Sequence, residues 1–476
     1  MGAFFGLVSA RDAIEDAFYG TDYLSHLGTH RAGIACYDRE AGLQREIHNI
    51  ENTPFRTRFE HVLEELQGTS AIACISDFDP QPLLIRSSFG TYALCYTGII
   101  NNKNDLVDRY LSQPGAHFDA ISGGGINSCE LIAALMNMKE DLIEGIRFVQ
   151  EVVEGTMSLL VLQEDGSIIA VRDKLGRIPV VIGKDDEGMC VCFESFSYQK
   201  LGYRNHKELG PGEIVKITKD KVFTLVEAGA EEHICAFLWA YYGYPSSVYD
   251  GVCVEKARHR NGELMAEQDQ ERQQIPDLDA IVGVPDSGIG HALGYALASG
   301  VPYARAMVKY TPTWARSFTP SVQNQREKVA RMKMIPVHEL INDQKLLFVD
   351  DSIVRGTQLA GTVGFLYRNG AKEVHMRSAT PPTMHVCKFL GFSRTVDPME
   401  LLTRRTILAL EGEEGLAHLD EYADGESERG KAMRAKIAEQ FHFSSLEFQS
   451  LENLIESIGL DPCRLCTYCW TGKESE

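Results

Sequence analysis

Short apolar runs recur through the first 230 or so residues, at Ala71–Ile75, Tyr92–Ile100, Ser158–Leu162, Ile168–Val171 and Pro179–Ile182. They are bounded by turns such as Asn101-Asn102 and Glu164-Asp165-Gly166, which reads as strands with turn punctuation. Helical spacing is found at Asp12–His26 and Glu130–Met138, so layers of sheet and helix are expected. After Gly210-Pro211-Gly212-Glu213 and the acidic turn Glu231-Glu232 the pattern changes. Strand-like runs at Ala280–Val284, Lys345–Val349 and Glu373–Arg377 now alternate with helical segments near His291–Ser299 and Leu359–Asn369. That order predicts a parallel sheet with crossover helices. From about Glu411 the chain is charged and helical, and it closes on a cluster of cysteines.

The 476 residues suffice for two or three domains, expected at 1–230, 231–420 and 421–476. A net charge of -20 argues against broad nucleic-acid binding, which needs a surplus of Lys and Arg. No stretch approaches the roughly 20 apolar residues of a membrane span. The opening Met1–Val8 is apolar without a basic lead-in, so it reads as a buried strand rather than a signal peptide. Twelve cysteines scattered through such a chain suggest a reducing compartment, hence the cytoplasm.

The most specific string is Leu346-Leu347-Phe348-Val349-Asp350-Asp351-Ser352-Ile353-Val354-Arg355-Gly356-Thr357. An apolar strand ends in two aspartates, then a small polar turn leads into a helix. Backbone N–H groups from Ser352 to Thr357 and the helix dipole suit a phosphate. Gly356 permits close backbone approach, Ser352 and Thr357 add hydroxyls, and Asp350 and Asp351 suit vicinal sugar hydroxyls, directly or through a metal ion. The alternative is a plain strand–turn–helix with capping aspartates.

A second loop, Val284-Pro285-Asp286-Ser287-Gly288, follows another predicted strand and should open at the same carboxyl edge of the sheet. Asp286 and Ser287 are candidates for a pyrophosphate and its Mg²⁺, although Pro-Asp-Ser-Gly is also an ordinary turn. Between the loops, Lys309, Arg316, Arg326, Lys328, Arg331 and Lys333 face only Glu327. Such a run is commonly a solvated helix face. Here it suits a polyanion whose charge grows as it departs, with Lys309, Arg316, Arg326 and Lys328 in catalytic positions.

Together these elements resemble the glutamine phosphoribosylpyrophosphate amidotransferases. The resemblance extends to His233-Ile234-Cys235-Ala236-Phe237, Arg316-Ser317-Phe318, Arg326-Glu327-Lys328, Gly370–His375 and Pro381-Pro382. In the N-terminal half it is carried by Arg172-Asp173, Leu175-Gly176 and Gly210-Pro211-Gly212-Glu213. It implies an N-terminal-nucleophile αββα sandwich followed by a type I phosphoribosyltransferase domain with a parallel sheet. The implied partners are phosphoribosyl diphosphate (PRPP) with Mg²⁺, and ammonia or another amine, in a homo-oligomer. The implied reaction gives phosphoribosylamine and pyrophosphate, the opening of purine synthesis. A change of nucleophile to a heterocycle, or a PRPP-binding regulator without turnover, are the competing readings.

The sequence departs from the family in one region. Where the family begins with a nucleophilic cysteine, this chain has Gly2. Ser76, Thr97 and Ser128 stand at the substrate-anchoring and oxyanion positions, and the family's His-Arg-Gly-Gln run reads His26-Leu27-Gly28-Thr29. Loss of nucleophile, oxyanion donor and anchors together implies a glutaminase fold without its chemistry. Cys36, Cys74, Cys95 and Cys129 are the thiols that could have relocated to replace it. The resemblance also implies a [4Fe–4S] cluster on Cys235, Cys387, Cys466 and Cys469, with zinc or free thiols as alternatives. Cys463 is an extra thiol, and Cys36, Cys74, Cys95, Cys190, Cys192 and Cys253 read as core. None of the fourteen histidines forms a metal-like pair in the sequence.

Overall fold

In the computed structural model, which describes residues 2–122, 125–273, 277–309, 334–390 and 397–474, the chain divides between Ile234 and Cys235 into two units. The first holds the residues up to Ile234 and a short stretch from Lys388. Its seven-stranded antiparallel sheet runs in the order Arg204–Glu208, Val181–Lys184, Gly188–Cys192, Ala3–Ser9, Ser70–Ser76, Arg31–Asp38, Gly42–Asn49. A six-stranded sheet runs Val222–Val226, Ile214–Ile217, Ile168–Val171, Gly155–Gln163, Gly90–Ile100, Leu83–Ser87.

Alternation along single strands explains the layers, because successive side chains point to opposite faces. Ala93 and Cys95 pack with Phe4, Ile72, Leu160 and Leu162 between the sheets. Tyr92, Leu94 and Tyr96 instead meet Leu131, Leu135, Ile146 and Val149 of the helices Ser128–Met136 and Leu142–Val152. Helix Ile14–Tyr23 contacts the seven-stranded sheet, so the first unit is the expected αββα sandwich. The predicted strand at Pro179–Ile182 begins only at Val181, since proline has no N–H for the ladder.

The second unit is built on four parallel strands, Ala280–Gly283, Lys345–Asp350, Glu373–Ser378 and Ser445–Phe448. Leu347 and Val349 pack with Met265, Ala292 and Tyr295 on one face. Leu346 and Phe348 pack with Val363, Leu366, Ile437 and Phe441 on the other. Helices Val254–Glu271 and Gly288–Ser299 lie very close together. A Cβ at Gly262 would fall 1.9 Å from the His291 carbonyl oxygen, and one at Gly294 1.9 Å from that of His259. The segment beyond residue 420, read as a helical tail, supplies the fourth strand through Ser445–Phe448, next to helix Glu428–Phe441.

Candidate functional site

The two loops singled out in the sequence follow neighbouring parallel strands, with Gly283 level with Val349. Both therefore open at the carboxyl edge, and the Val284 N–H donates to the Val349 carbonyl (2.9 Å). Asp350 ends its strand half-buried and Asp351 is buried. The Asp351 N–H donates to Asp350 Oδ1 (3.0 Å), and the Ser352 hydroxyl donates to Asp351 Oδ1 (2.6 Å). The Ser287 hydroxyl, from the second loop, donates to Asp351 Oδ2 and ties the loops together. The Pro285–Asp286 peptide is cis.

Burial, then the charge of Asp351, raises the Asp350 carboxyl well above its ordinary range. Burial raises Asp351 too, opposed by the hydrogen bonds from Ser287 and Ser352 and by the charge of Arg258. Two adjacent, partly desolvated carboxylates are costly by themselves and suit a ligand that brings positive charge or hydroxyl donors. Lys309 Nζ lies 2.7 Å from Asp286 Oδ2, but both groups are solvent-exposed, so this pair is weak.

Gly356 takes φ 71° at the start of helix Thr357–Arg368, a conformation that glycine adopts without strain. The turn before it is pinned: the Val354 carbonyl accepts from the Leu402 N–H (2.8 Å), the Arg355 carbonyl from Arg405 Nη2 (2.6 Å), and Ile353 is buried. Arg316, Arg326, Lys328 and the Thr357 side chain lie outside the described residues.

One set of polar groups behind these loops carries no signal in the sequence. Arg258, buried on its helix, donates to the carbonyls of Trp239 (2.8 Å), Tyr241 (3.1 Å) and Gly243 (2.8 Å) around the π-turn Leu238–Tyr242. His291 Nε2 lies 3.0 Å from the Ala240 carbonyl and Nδ1 3.1 Å from Asn261 Nδ2. Burial, then Arg258, holds His291 down to about 3, so the ring is neutral and donates from Nε2. Arg258 sits on a mostly polar helix and His291 on an apolar one, and no motif marks either.

The cysteine set is also brought together. Strand Ile234–Cys235 pairs with Leu465–Cys466, and the Ala236 N–H donates to the Cys466 carbonyl (3.2 Å). The N–H groups of Met384 and His385 both donate to the Cys469 carbonyl (3.0 Å each). The Cys469 thiol is held well above its ordinary range by a hydrogen bond with Cys387, by burial, and by the charges of Cys387, Cys235 and Cys466. Four sulfurs are thus electrostatic neighbours, an arrangement that a metal centre relieves by binding thiolates. Cys463 is exposed and does not figure among them, and Cys253, read as core, is only half-buried.

Residues 57–198 match the glutamine amidotransferase domain family. Over 453 residues, 93% of this chain and 90% of the relative, the sequence is 31% identical to the amidophosphoribosyltransferase of Archaeoglobus fulgidus. The chain belongs to the amidophosphoribosyltransferase family, whose members are phosphoribosyltransferases. The Methanocaldococcus jannaschii amidophosphoribosyltransferase is 28% identical over 99% of this chain and 97% of its own. The solved glutamine PRPP amidotransferase of Bacillus subtilis, complexed with ADP and GMP, superposes with a TM-score of 0.82 at 27% identity, covering 100% of this chain and 97% of that one.

In this member of the amidophosphoribosyltransferase family the glutaminase-like positions are filled by packing. A Cβ at Gly2 would lie 2.4 Å from the Ile75 carbonyl oxygen, and the Gly2 carbonyl accepts a hydrogen bond from the Thr97 hydroxyl (2.9 Å). Lys103 Nζ donates to Ser128 Oγ (2.9 Å), and Ser76 Oγ accepts from the Phe78 N–H (3.1 Å). The Thr29 N–H donates to Asp77 (2.9 Å). Cys36, Cys74, Cys95 and Cys129 are all buried. Burial pushes the Cys36 thiol up to about 12 and raises Cys74 and Cys129 well above the thiol range, the opposite of what activates a nucleophile. The family-like Arg172-Asp173 pair is buried and binds backbone. Arg172 donates to the carbonyls of Ile178 (3.1 Å) and Gly176 (2.8 Å), and Asp173 accepts from the N–H groups of Met157 (3.1 Å) and Arg177 (3.2 Å).

Proposed function

We propose that the protein transfers a phosphoribosyl group from PRPP to ammonia, giving 5-phosphoribosylamine and pyrophosphate, in purine synthesis. The hydrogen bond from Ser287 to Asp351 carries this reading, because it joins a pyrophosphate-type loop to a sugar-phosphate loop at one sheet edge. In the reaction the ammonia nitrogen bonds to C1 of PRPP, the bond from C1 to the pyrophosphate oxygen breaks, and one proton leaves the nitrogen. Asp350 and Asp351 hold the ribose hydroxyls, and the backbone from Ser352 through Ile353, Val354, Arg355, Gly356 and Thr357 holds the 5-phosphate. Asp286 and Ser287 orient the pyrophosphate. Mg²⁺, bound with PRPP, supplies charge neutralisation for the leaving group. Lys309, Arg316, Arg326 and Lys328 supply cations for that charge.

The domain assignment that goes with this is a glutaminase-like half over 1–230 without glutaminase chemistry and a phosphoribosyltransferase domain over 231–420, whose sheet the segment over 421–476 completes. Cys235, Cys387, Cys466 and Cys469 hold a [4Fe–4S] cluster, supported by the crowding of the other three thiols around Cys469. Among the described residues no helix is long and apolar enough to cross a membrane. A cytoplasmic homo-oligomer fits the cysteine usage and the family.

The test is pyrophosphate release from PRPP with Mg²⁺ and ammonium, beside the same assay with glutamine. Ammonium should support turnover and glutamine should not. A second reading, transfer to another amine or a heterocycle, is favoured by the close packing at Gly2, since such a nucleophile needs no glutaminase. Product analysis separates the two. PRPP binding without consumption by any nucleophile would instead leave a regulatory protein.

A further inference from the structure

Although the histidines show no metal-like pairing along the chain, the first unit brings two of them to one carboxylate. Glu46 and His48 are two residues apart on Gly42–Asn49, the edge strand of the seven-stranded sheet, and so share a face. His61 stands between the helices Phe55–Phe59 and Val62–Glu65. Its carbonyl accepts the N–H groups of Glu64 (3.0 Å) and Glu65 (3.2 Å), and the adjacent Val62 is buried, so the backbone that presents the ring is fixed. His48 Nε2 and His61 Nε2 each lie 2.8 Å from Glu46 Oε2. One donor atom from each of the three residues falls within 4.8 Å of the other two.

The rings are also pre-oriented. His48 meets Phe59 edge-on, with centroids 5.0 Å apart at 74°. Phe59 is fully buried and stacks on Phe55 at 4.7 Å. Two imidazoles aimed at one carboxylate oxygen are a poor arrangement for ion pairing alone. If both rings are charged they repel across 5.6 Å, and if both are neutral the pairing adds little at an exposed site. A divalent cation resolves this: the rings adopt the Nδ1–H tautomer, and both Nε2 lone pairs and the carboxylate point at the ion.

We propose that Glu46, His48 and His61 form a transition-metal site of Zn²⁺ type, three-coordinate from the protein with its fourth position open to water. Imidazole and carboxylate donors suit such an ion. Bonds of about 2.0–2.2 Å place tetrahedral donors about 3.3 Å apart, which widens the two contacts with Glu46 only slightly. Two neutral rings and one carboxylate leave the loaded site with a single positive charge, compatible with its partial exposure. It is separate from the cysteine set and independent of the proposed transfer reaction.

The test uses the untagged full chain, handled anaerobically with its cysteine-bound metal in place and dialysed against Zn²⁺. Elemental analysis compares it with Glu46→Gln, His48→Gln and His61→Ala. Each variant should hold about one zinc fewer per chain. Co²⁺ in place of zinc should give visible bands without thiolate charge transfer, and these should be missing from the variants. Equal zinc in the wild-type protein, His48→Gln and His61→Ala overturns the site and leaves the trio an ion-pair cluster. His61 is the most exposed of the three, so His61→Ala decides the question if His48→Gln melts early in chelator.

Discussion

The loops at the edge of the parallel sheet and the surroundings of Gly2 answer differently to the same question, whether polar groups are held at a cost to the fold. At the sheet edge, Asp350 and Asp351 sit side by side and partly desolvated, which raises both carboxyls. Around Gly2 the described polar groups are paired or protonated. Thr97 bonds the Gly2 carbonyl, Lys103 occupies Ser128, and the nearby thiols are buried and protonated. Groups kept in unfavourable states cluster where chemistry needs them. Their presence at one site and absence at the other is the physical basis for proposing a working transferase beside a silent glutaminase.

The largest expected effect tests the first side of this comparison. Asp350→Asn or Asp351→Asn should lower pyrophosphate release from PRPP by about a hundredfold or more. Melting of the Asp350→Asn protein should stay level or rise. Asp350 is raised in the fold, so its charged form destabilises the protein at neutral pH. That penalty is absent below about pH 3.9, grows as the pH rises to the raised value, and is constant above it. The stability gap between variant and wild type should therefore narrow on acidification. A variant that keeps turnover would remove the contrast.

Next in size is the cysteine set. Anaerobically purified protein should be brown and carry about four irons per chain, and Cys469→Ala should lose both colour and iron. Zinc by elemental analysis would replace the cluster with a four-thiolate ion.

The other side of the comparison predicts no glutamate release from glutamine, with or without PRPP. Gly2→Cys should not restore it, because the new Cβ meets the Ile75 carbonyl oxygen at 2.4 Å. It should instead destabilise the protein by about 1–3 kcal/mol in a denaturant titration, as overpacking does. Labelling of any cysteine by an electrophilic glutamine analogue would reopen the glutaminase.

The smallest effect concerns Lys309 and Asp286. A double-mutant cycle on this exposed pair should give a coupling under about 1 kcal/mol in stability. Larger coupling would mean that the pair supports the fold as well as any ligand.

Much of the second unit was legible because its strands are buried on both faces. Runs such as Leu346–Val349 are apolar throughout, and no other element explains them at that length. Ser445–Phe448 was not legible. It is four residues long, includes Glu447, and follows a charged helix, so only its pairing with Glu373–Ser378 makes it a strand. In the first unit the Arg172-Asp173 motif was visible, but its side chains bind backbone at Gly176, Ile178 and Met157, and Arg172 also pairs with Glu232. A motif shows which residues matter without showing whether they serve the fold or the chemistry.

By itself the sequence determined the change from strand-rich first half to alternating strands and helices, the two aspartates at a strand's end, the glycine at position 2 and the spacing of the terminal cysteines. These are local properties, set by periodicity and by residues within one turn of each other. Only the tertiary structure decided that Ser287 bonds Asp351, that Arg258 and His291 are buried behind the loops, and that a side chain at Gly2 has no room. The same holds for His48 and His61, thirteen residues apart and unpaired along the chain, which converge on Glu46 because an edge strand and a helical turn happen to pack together. Burial and convergence depend on which elements pack against each other, and no local pattern records that.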